Sequence, residues 1–148
     1  MTHLLITPFH PDDQTAVRQL ILVGLVEHWG FLDSTKNPDL ENIAVSYAGA
    51  TFLVARLGND IVGTGALVPH QAGTAEIVRM SVAQQQRRSG IGRRILDALV
   101  EQARAQGFQR VILETTATWQ EVIEFYLRCG FRITHDQDGD VYFLLELL

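Results

Sequence analysis

The chain has 148 residues, 47% hydrophobic and 20% charged, with a formal net charge of −5. That is the length of one ordinary domain with a sizeable core, so a single domain over residues 1–148 is expected. The acidic balance argues against a nucleic-acid binder, the lone Cys129 excludes an internal disulfide framework, and no apolar run nears the roughly 20 residues that span a bilayer.

The start, Met1-Thr-His-Leu-Leu-Ile-Thr-Pro, lacks the basic opening and long apolar stretch of a signal peptide. A cytoplasmic protein with no membrane partner is the expectation. Residues 4–7 form a short first strand. Pro11-Asp12-Asp13 opens a helix, because proline and acidic residues fit a first turn. Val17, Leu20, Ile21, Leu25 and Trp29 follow at helical spacing as its buried stripe. Residues 30–38 are a loop. Residues 39–47 read as a second helix, with Leu40, Ile43, Ala44 and Tyr47 on one side and Gly49 as its stop.

The pattern then turns β-like. A strand over 51–57, a Gly58-Asn59-Asp60 turn and a strand over 61–68 make a hairpin, although Gly63 and Gly65 weaken the second strand. Residues 69–73 turn into a third strand over 74–82. A helix over 90–106 faces Ile91, Ile95, Leu99, Val100 and Ala103 to the core and stops at Gly107. A strand over 110–117 and a helix over 119–129, closed by Gly130, come next. Strands over 131–134 and 141–147 flank an Asp/Gly-rich turn. The order β-α-α-β-β-β-α-β-α-β-β predicts an α/β, mixed α+β architecture with helices on the faces of a mixed sheet. The apolar end, Tyr142-Phe-Leu-Leu-Glu-Leu-Leu148, would as an exposed edge invite pairing in a homodimer.

The segment between the strand over 74–82 and the helix over 90–106 carries the chemistry. Arg87-Arg88-Ser89-Gly90-Ile91-Gly92 places glycines where backbone can approach a ligand without a Cβ. A helix N-terminus behind them favours an anion such as a phosphate. A P-loop needs Lys and Ser/Thr after its last glycine, but Arg93 and Arg94 stand there. A dinucleotide fold needs a third glycine, but that position is Ile95. The acyl-coenzyme A pattern [QR]-x-x-G-x-[GA] fits without a mismatch.

With that pattern, Glu76-Ile-Val-Arg-Met-Ser-Val82 before it and Phe125-Tyr126-Leu-Arg-Cys-Gly-Phe131 after it, the whole chain resembles the GNAT N-acetyltransferase superfamily. Its strand segments look closest to small single-domain bacterial members and to the N-acetyltransferase-8-like branch. The resemblance implies a GNAT fold with a central, mostly antiparallel mixed sheet, and acetyl-CoA as co-substrate. It implies two strands, 74–82 and 110–117, that part to admit the thioester. Met80, Ser81 and Val82 would meet the pantetheine through their backbone. Arg87, Arg88, Ser89, Gly90, Ile91 and Gly92 would meet the pyrophosphate, with Arg93 at the rim. The main-chain N–H near Met80 would polarise the acetyl carbonyl, as an oxyanion donor does.

The same resemblance makes Tyr126 the acid that protonates the departing thiolate, since tyrosine near pKa 10 holds its proton at neutral pH. It makes Glu76 the general base, which a largely protonated amine requires. Read from the residues alone, Tyr126 is also a core aromatic, and Glu76 an ordinary polar strand residue. Glu114 is a rival base, or else a partner for Arg79 across the sheet. Trp119 and Val122 depart from the Asn and Ala that many members carry. The acceptor is expected to be a small-molecule or peptide amine, met in the loop by Trp29, Phe31 and Asp33. The five histidines lack metal-ligand spacing, so no metal is expected, and Cys129 reads as a packing thiol. Two other readings are a non-catalytic acyl-CoA sensor on this fold and a dinucleotide-dependent oxidoreductase.

Overall fold

The computed structural model describes residues 3–33 and 35–147. Among them, seven strands and four α-helices follow in the predicted order: β1 (Leu4–Pro8), α1 (Gln14–Trp29), α2 (Ile43–Ser46), β2 (Thr51–Leu57), β3 (Asp60–Gln71), β4 (Thr74–Val82), α3 (Ile91–Ala105), β5 (Arg110–Thr116), α4 (Gln120–Arg128), β6 (Arg132–Gln137) and β7 (Asp140–Glu146). Residues Met1, Thr2, Ser34 and Leu148 lie outside the described set.

Two expected helices change shape. Pro11–Asp13 is a single 3-10 turn, and α1 proper begins at Gln14. Its cap is reciprocal: the His10 ring accepts from the Asp12 N–H, and the Asp13 carboxylate accepts from the His10 N–H. The helix expected over 39–47 is a 3-10 turn at Pro38–Leu40 followed by the one-turn α2. The Gln14 side chain explains the break. Its amide donates to the Leu40 carbonyl at 2.7 Å and accepts from the Ile43 N–H at 2.9 Å. Those backbone groups are thus satisfied without a continuous helix. Leu40 and Ile43 are buried and Tyr47 is half-buried as expected, but Ala44 is exposed. Trp29 also leaves the expected stripe, being 48% exposed.

The strands form one sheet in the order β1-β2-β3-β4-β5-β7-β6. Every neighbouring pair is antiparallel except β4 and β5. The last strand is therefore no exposed edge. β7 lies between β5 and β6, pairing β5 from Arg110↔Glu146 to Thr116↔Asp140. The edges are β1 and the solvent-exposed β6, so the edge argument for a homodimer falls away.

Two clusters sandwich the sheet. Val17 and Ile21 of α1, with Leu40 and Ile43, cover Phe52, Val54 and Ala66 on one face. On the other face Ile91, Ile95, Leu96, Leu99, Val100 and Ala103 of α3, with Ile123 and Tyr126 of α4, cover the rest. Gly63 and Gly65 let α3 lie close to β3. A Cβ at Gly65 would fall 2.6 Å from the Met80 sulfur, 2.8 Å from Ile95 and 2.9 Å from Leu99. These glycines are sites of close approach, the strand-glycine role that offsets their poor strand propensity. Gly65→Ala should therefore overpack this layer and destabilise the fold by about 1–3 kcal/mol. Urea denaturation should show a lowered midpoint with an unchanged slope; a wild-type midpoint would show that the layer yields.

Candidate active site

β4 and β5 run together for only three residue pairs, Thr74↔Arg110, Ala75↔Val111 and Glu76↔Ile112. Beyond Glu76 the two strands part. Residues 77–82 of β4 then face a wedge with no strand partner on that side. Backbone groups there need another partner, and an extended amide-bearing chain such as pantetheine is of the right kind.

Inside this free stretch β4 carries a bulge. The β3 partners move from Ala66↔Val78 to Thr64↔Ser81, so β4 spends three residues where β3 spends two. Arg79 takes φ 57, the left-handed region that non-glycine residues rarely adopt. The bulge reverses which face each later side chain takes. Val78 packs with the α1 cluster, whereas Met80 lies among the α3 residues. Ser81 then faces α1, with its oxygen 3.3 Å from where a Cβ on Gly24 would sit.

Arg79 is not paired with Glu114, one of the two roles open to that residue from the sequence; it pairs with Asp39. Its Nη2 and Nε donate to both carboxylate oxygens of Asp39 at 2.7 and 3.0 Å, and Nη2 also donates to Asn37 Oδ1 at 3.1 Å. The Thr64 hydroxyl donates to the Arg79 carbonyl at 2.8 Å, and the Tyr47 hydroxyl donates to Asp39 at 2.5 Å. Burial opposes the charge on Asp39, but these bonds outweigh it and hold the carboxyl below the usual range. Burial and the same carboxylate push Tyr47 up to about 12. Asp39 and Asn37 were invisible to local sequence reasoning, because they meet Arg79 across 40 and 42 residues of chain.

At the open end of the wedge lies the glycine turn. Arg88 (φ 66) and Gly90 (φ 84) are both left-handed, and Gly90 caps α3. The first bond of the helix is Arg94 N–H to the Gly90 carbonyl at 3.1 Å, so the N–H groups of Ile91, Gly92 and Arg93 precede it without helical acceptors. Arg87 donates to the Val82 carbonyl and to Glu27 of α1, each at 3.1 Å. Arg88 lies 3.5 Å from Glu121 and Arg93 3.1 Å from Asp97. Such exposed pairs are worth only about 0–1 kcal/mol, weak enough to leave the guanidiniums available to an anion.

The acetyltransferase (GNAT) family model matches residues 15–131, the stretch that holds the strand split, the bulge and the glycine turn. The chain belongs to the GNAT family. It is 34% identical over 103 residues to N-acetyltransferase 8F1 of Rattus norvegicus, covering 65% of this chain and 47% of that protein. It is 38% identical over 81 residues to the IAA acetyltransferase of Azospirillum brasilense, covering 54% of this chain and 53% of that one. The chain thus spans about half the length of these curated relatives. A GNAT acetyltransferase from Staphylococcus aureus superposes with a TM-score of 0.90 at 22% identity, over 99% of this chain and 100% of that one. The yncA protein from Salmonella typhimurium, solved with its cofactor acetyl-CoA, superposes with a TM-score of 0.81 at 18% identity, over 97% and 94% of the two chains. These two likenesses speak to the fold.

In this GNAT chain Tyr126 lies on α4 with its ring packed against Phe125, Phe131 and Phe143 at centroid distances of 5.2, 5.9 and 5.6 Å. It is 6% exposed, and burial, then the nearby Cys129, push its pKa well up. The hydroxyl therefore keeps its proton at neutral pH. Glu76 sits at the apex of the wedge, the last β4 residue paired to β5. Burial raises its pKa; Glu114 adds to this, and His70, with Nδ1 3.9 Å from the carboxylate, opposes it. Glu114 lies opposite Tyr142 on β7, and its carboxylate pushes the Tyr142 hydroxyl's pKa up.

The GNAT wedge has an unexpected neighbour. His28, near the end of α1, packs on Trp119 at 4.0 Å and on Trp29 at 4.6 Å, with Nε2 3.4 Å from the Thr118 hydroxyl. The clasp joins α1 to the connection after β5. Of the expected acceptor residues, Phe31 is 66% exposed. Asp33 is taken up by its own loop, accepting from the Thr35 N–H and hydroxyl at 3.0 and 2.6 Å. Burial raises the pKa of Cys129, as a packing thiol requires rather than a nucleophile. Among the described residues, no three His, Cys, Asp or Glu side chains are grouped to hold a metal ion, and no helix is long and apolar enough to cross a membrane.

Proposed function

We propose that this chain moves an acetyl group from acetyl-CoA to a primary amine by direct attack within a ternary complex. The observation that carries the proposal is the wedge between β4 and β5, with its bulge beside the glycine turn that heads α3. Curated relatives named as N-acetyltransferases support the reaction class. In this reading the pyrophosphate meets the backbone N–H groups from Arg88 to Gly92, with the guanidiniums of Arg87, Arg88 and Arg93 around it. Met80, Ser81 and Val82 bond the pantetheine, and the Met80 N–H polarises the acetyl carbonyl.

Glu76 takes a proton from the ammonium, directly or through one water, freeing the nitrogen lone pair. The nitrogen attacks the carbonyl carbon, the C–S bond breaks as Tyr126 gives its hydroxyl proton to the leaving sulfur, and the second N–H proton leaves the new amide nitrogen for water. Glu76 then gives its proton to solvent and solvent reprotonates Tyr126, so one proton is released per turnover. An acetyl-transfer screen across protein N-termini, lysine, polyamines, aminoglycosides and amino acids, read as free CoA, tests the proposal. Acetyl-CoA binding without transfer to any of them would leave the sensor reading in its place.

The raised pKa of Glu76 fixes two signs. As a base it works only when ionised, so kcat/KM should rise with pH through a value above the usual carboxylate range. A group whose folded carboxyl pKa is raised also costs stability once pH climbs from its unfolded toward its folded pKa. Glu76→Gln should therefore lower turnover about 10²–10⁴-fold while leaving Tm at pH 7 equal or higher. A variant of normal activity would move the base elsewhere, with Glu114 the next to be replaced.

A further inference from the structure

We propose that Arg79 is a positioning residue: through Asp39 it ties the acceptor-side segment, residues 35–40, to the bulge that aims the Met80 amide. This rests on the reading of the wedge as an acetyl-CoA site.

Four observations converge. Arg79 holds a left-handed backbone that a non-glycine residue keeps only where its surroundings fix it. Both ends of the residue are so fixed: its carbonyl by the fully buried Thr64, its guanidinium by Asp39 and Asn37. The tether is rooted in the core, because Asp39 also accepts from Tyr47, whose ring packs edge-on against Phe52 at 5.1 Å. The guanidinium and Asp39 carboxylate are only 18% and 29% exposed, so the two-point contact is sheltered from solvent in a way surface pairs are not.

Placement separates this from a generic ion pair. The residue so held is the one at which β4 reverses its faces, and the next amide is the one facing the thioester. A bulge left free to slide would turn that amide away without unfolding the sheet. The other end of the tether belongs to the segment that follows Trp29, Phe31 and Asp33. A shift of residues 35–40 when an amine settles there is therefore transmitted to the Met80 backbone.

The test uses acetyl-CoA labelled with ¹³C at the carbonyl, bound to the full chain and read by isotope-edited infrared difference spectroscopy. In the wild type the carbonyl band should lie below its solution position, as hydrogen bonding to the oxygen demands. Asp39→Ala and the near-isosteric Asp39→Asn should lose most of that shift, with acetyl-CoA affinity little changed by calorimetry. Arg79→Lys, which returns one ammonium to Asp39, should keep part of the shift. Circular dichroism confirms that each variant is folded, and Asp39→Asn decides the matter if Asp39→Ala does not fold. Folded Asp39 variants with a wild-type band would overturn this proposal alone. A wild-type complex whose band keeps its solution position would overturn the Met80 reading and this proposal together.

Discussion

Gly90→Glu should raise the acetyl-CoA Kd by at least about 100-fold, measured by titration calorimetry. Two effects act, and their sizes decide which dominates. Gly90 is left-handed at φ 84, and a Cβ there meets nothing within 4 Å. Any side chain thus grows into the open space of the turn rather than into the core. The backbone penalty is about 1–2 kcal/mol and appears as stability. The charge is the larger effect. A carboxylate roughly 4 Å from a phosphate is repelled by about 4 kcal/mol at an effective dielectric of 20, and each 1.4 kcal/mol is about tenfold in affinity. Gly90→Ala carries the first effect without the second, so the difference between the variants isolates the repulsion. Equal affinities for Gly90→Glu and the wild type would remove the turn from the cofactor site.

Tyr126→Phe should cut kcat by about 10²–10⁴-fold and leave acetyl-CoA affinity and Tm nearly unchanged. The ring contacts with Phe125, Phe131 and Phe143 survive in phenylalanine, so packing is kept and only the hydroxyl is lost. The burial that keeps Tyr126 protonated also makes it a reluctant acid. Its proton therefore moves as the C–S bond breaks, when charge builds on sulfur, and not before. A solvent isotope effect on kcat should accompany the wild type and vanish in the variant. Tyr126→Ala serves as the packing control and should lose about 3–5 kcal/mol of stability. Full turnover in Tyr126→Phe would assign the ring to the core alone.

Much of the fold was legible because short-range signals dominated it. The bounds of β2 and β4 fell where β-rich runs met turn residues, at Thr51–Leu57 and Thr74–Val82. α3 was set by a strong apolar period between two glycines, Gly90 and Gly107, both left-handed in the structure. What escaped depended on partners far along the chain. The Gln14 amide breaks the helix expected over 39–47 from 26 residues away. Arg79 chose Asp39 over the nearer-seeming Glu114. The place of β7 is a matter of topology, on which the apolarity of Tyr142–Leu145 is silent: a strand paired on both sides and an exposed edge can share one composition. In the site, the Gly90 turn showed itself by spacing, whereas the bulge and its tether did not, because left-handed arginine has no sequence signature.

The insertion of β7 between β5 and β6 also governs the order in which the molecule can be assembled. β5 shares three residue pairs with β4 but seven with β7. A nascent chain that has emerged only as far as α4 has therefore made β5 without its principal partner. Synthesis must run past Glu146 before that ladder can close, a long-range pairing of the slow kind. Until then β5 presents an open edge rich in valine, isoleucine and leucine, the kind of surface that recruits other chains. A transcript truncated before Asp140 should accordingly yield an aggregating product rather than a smaller enzyme.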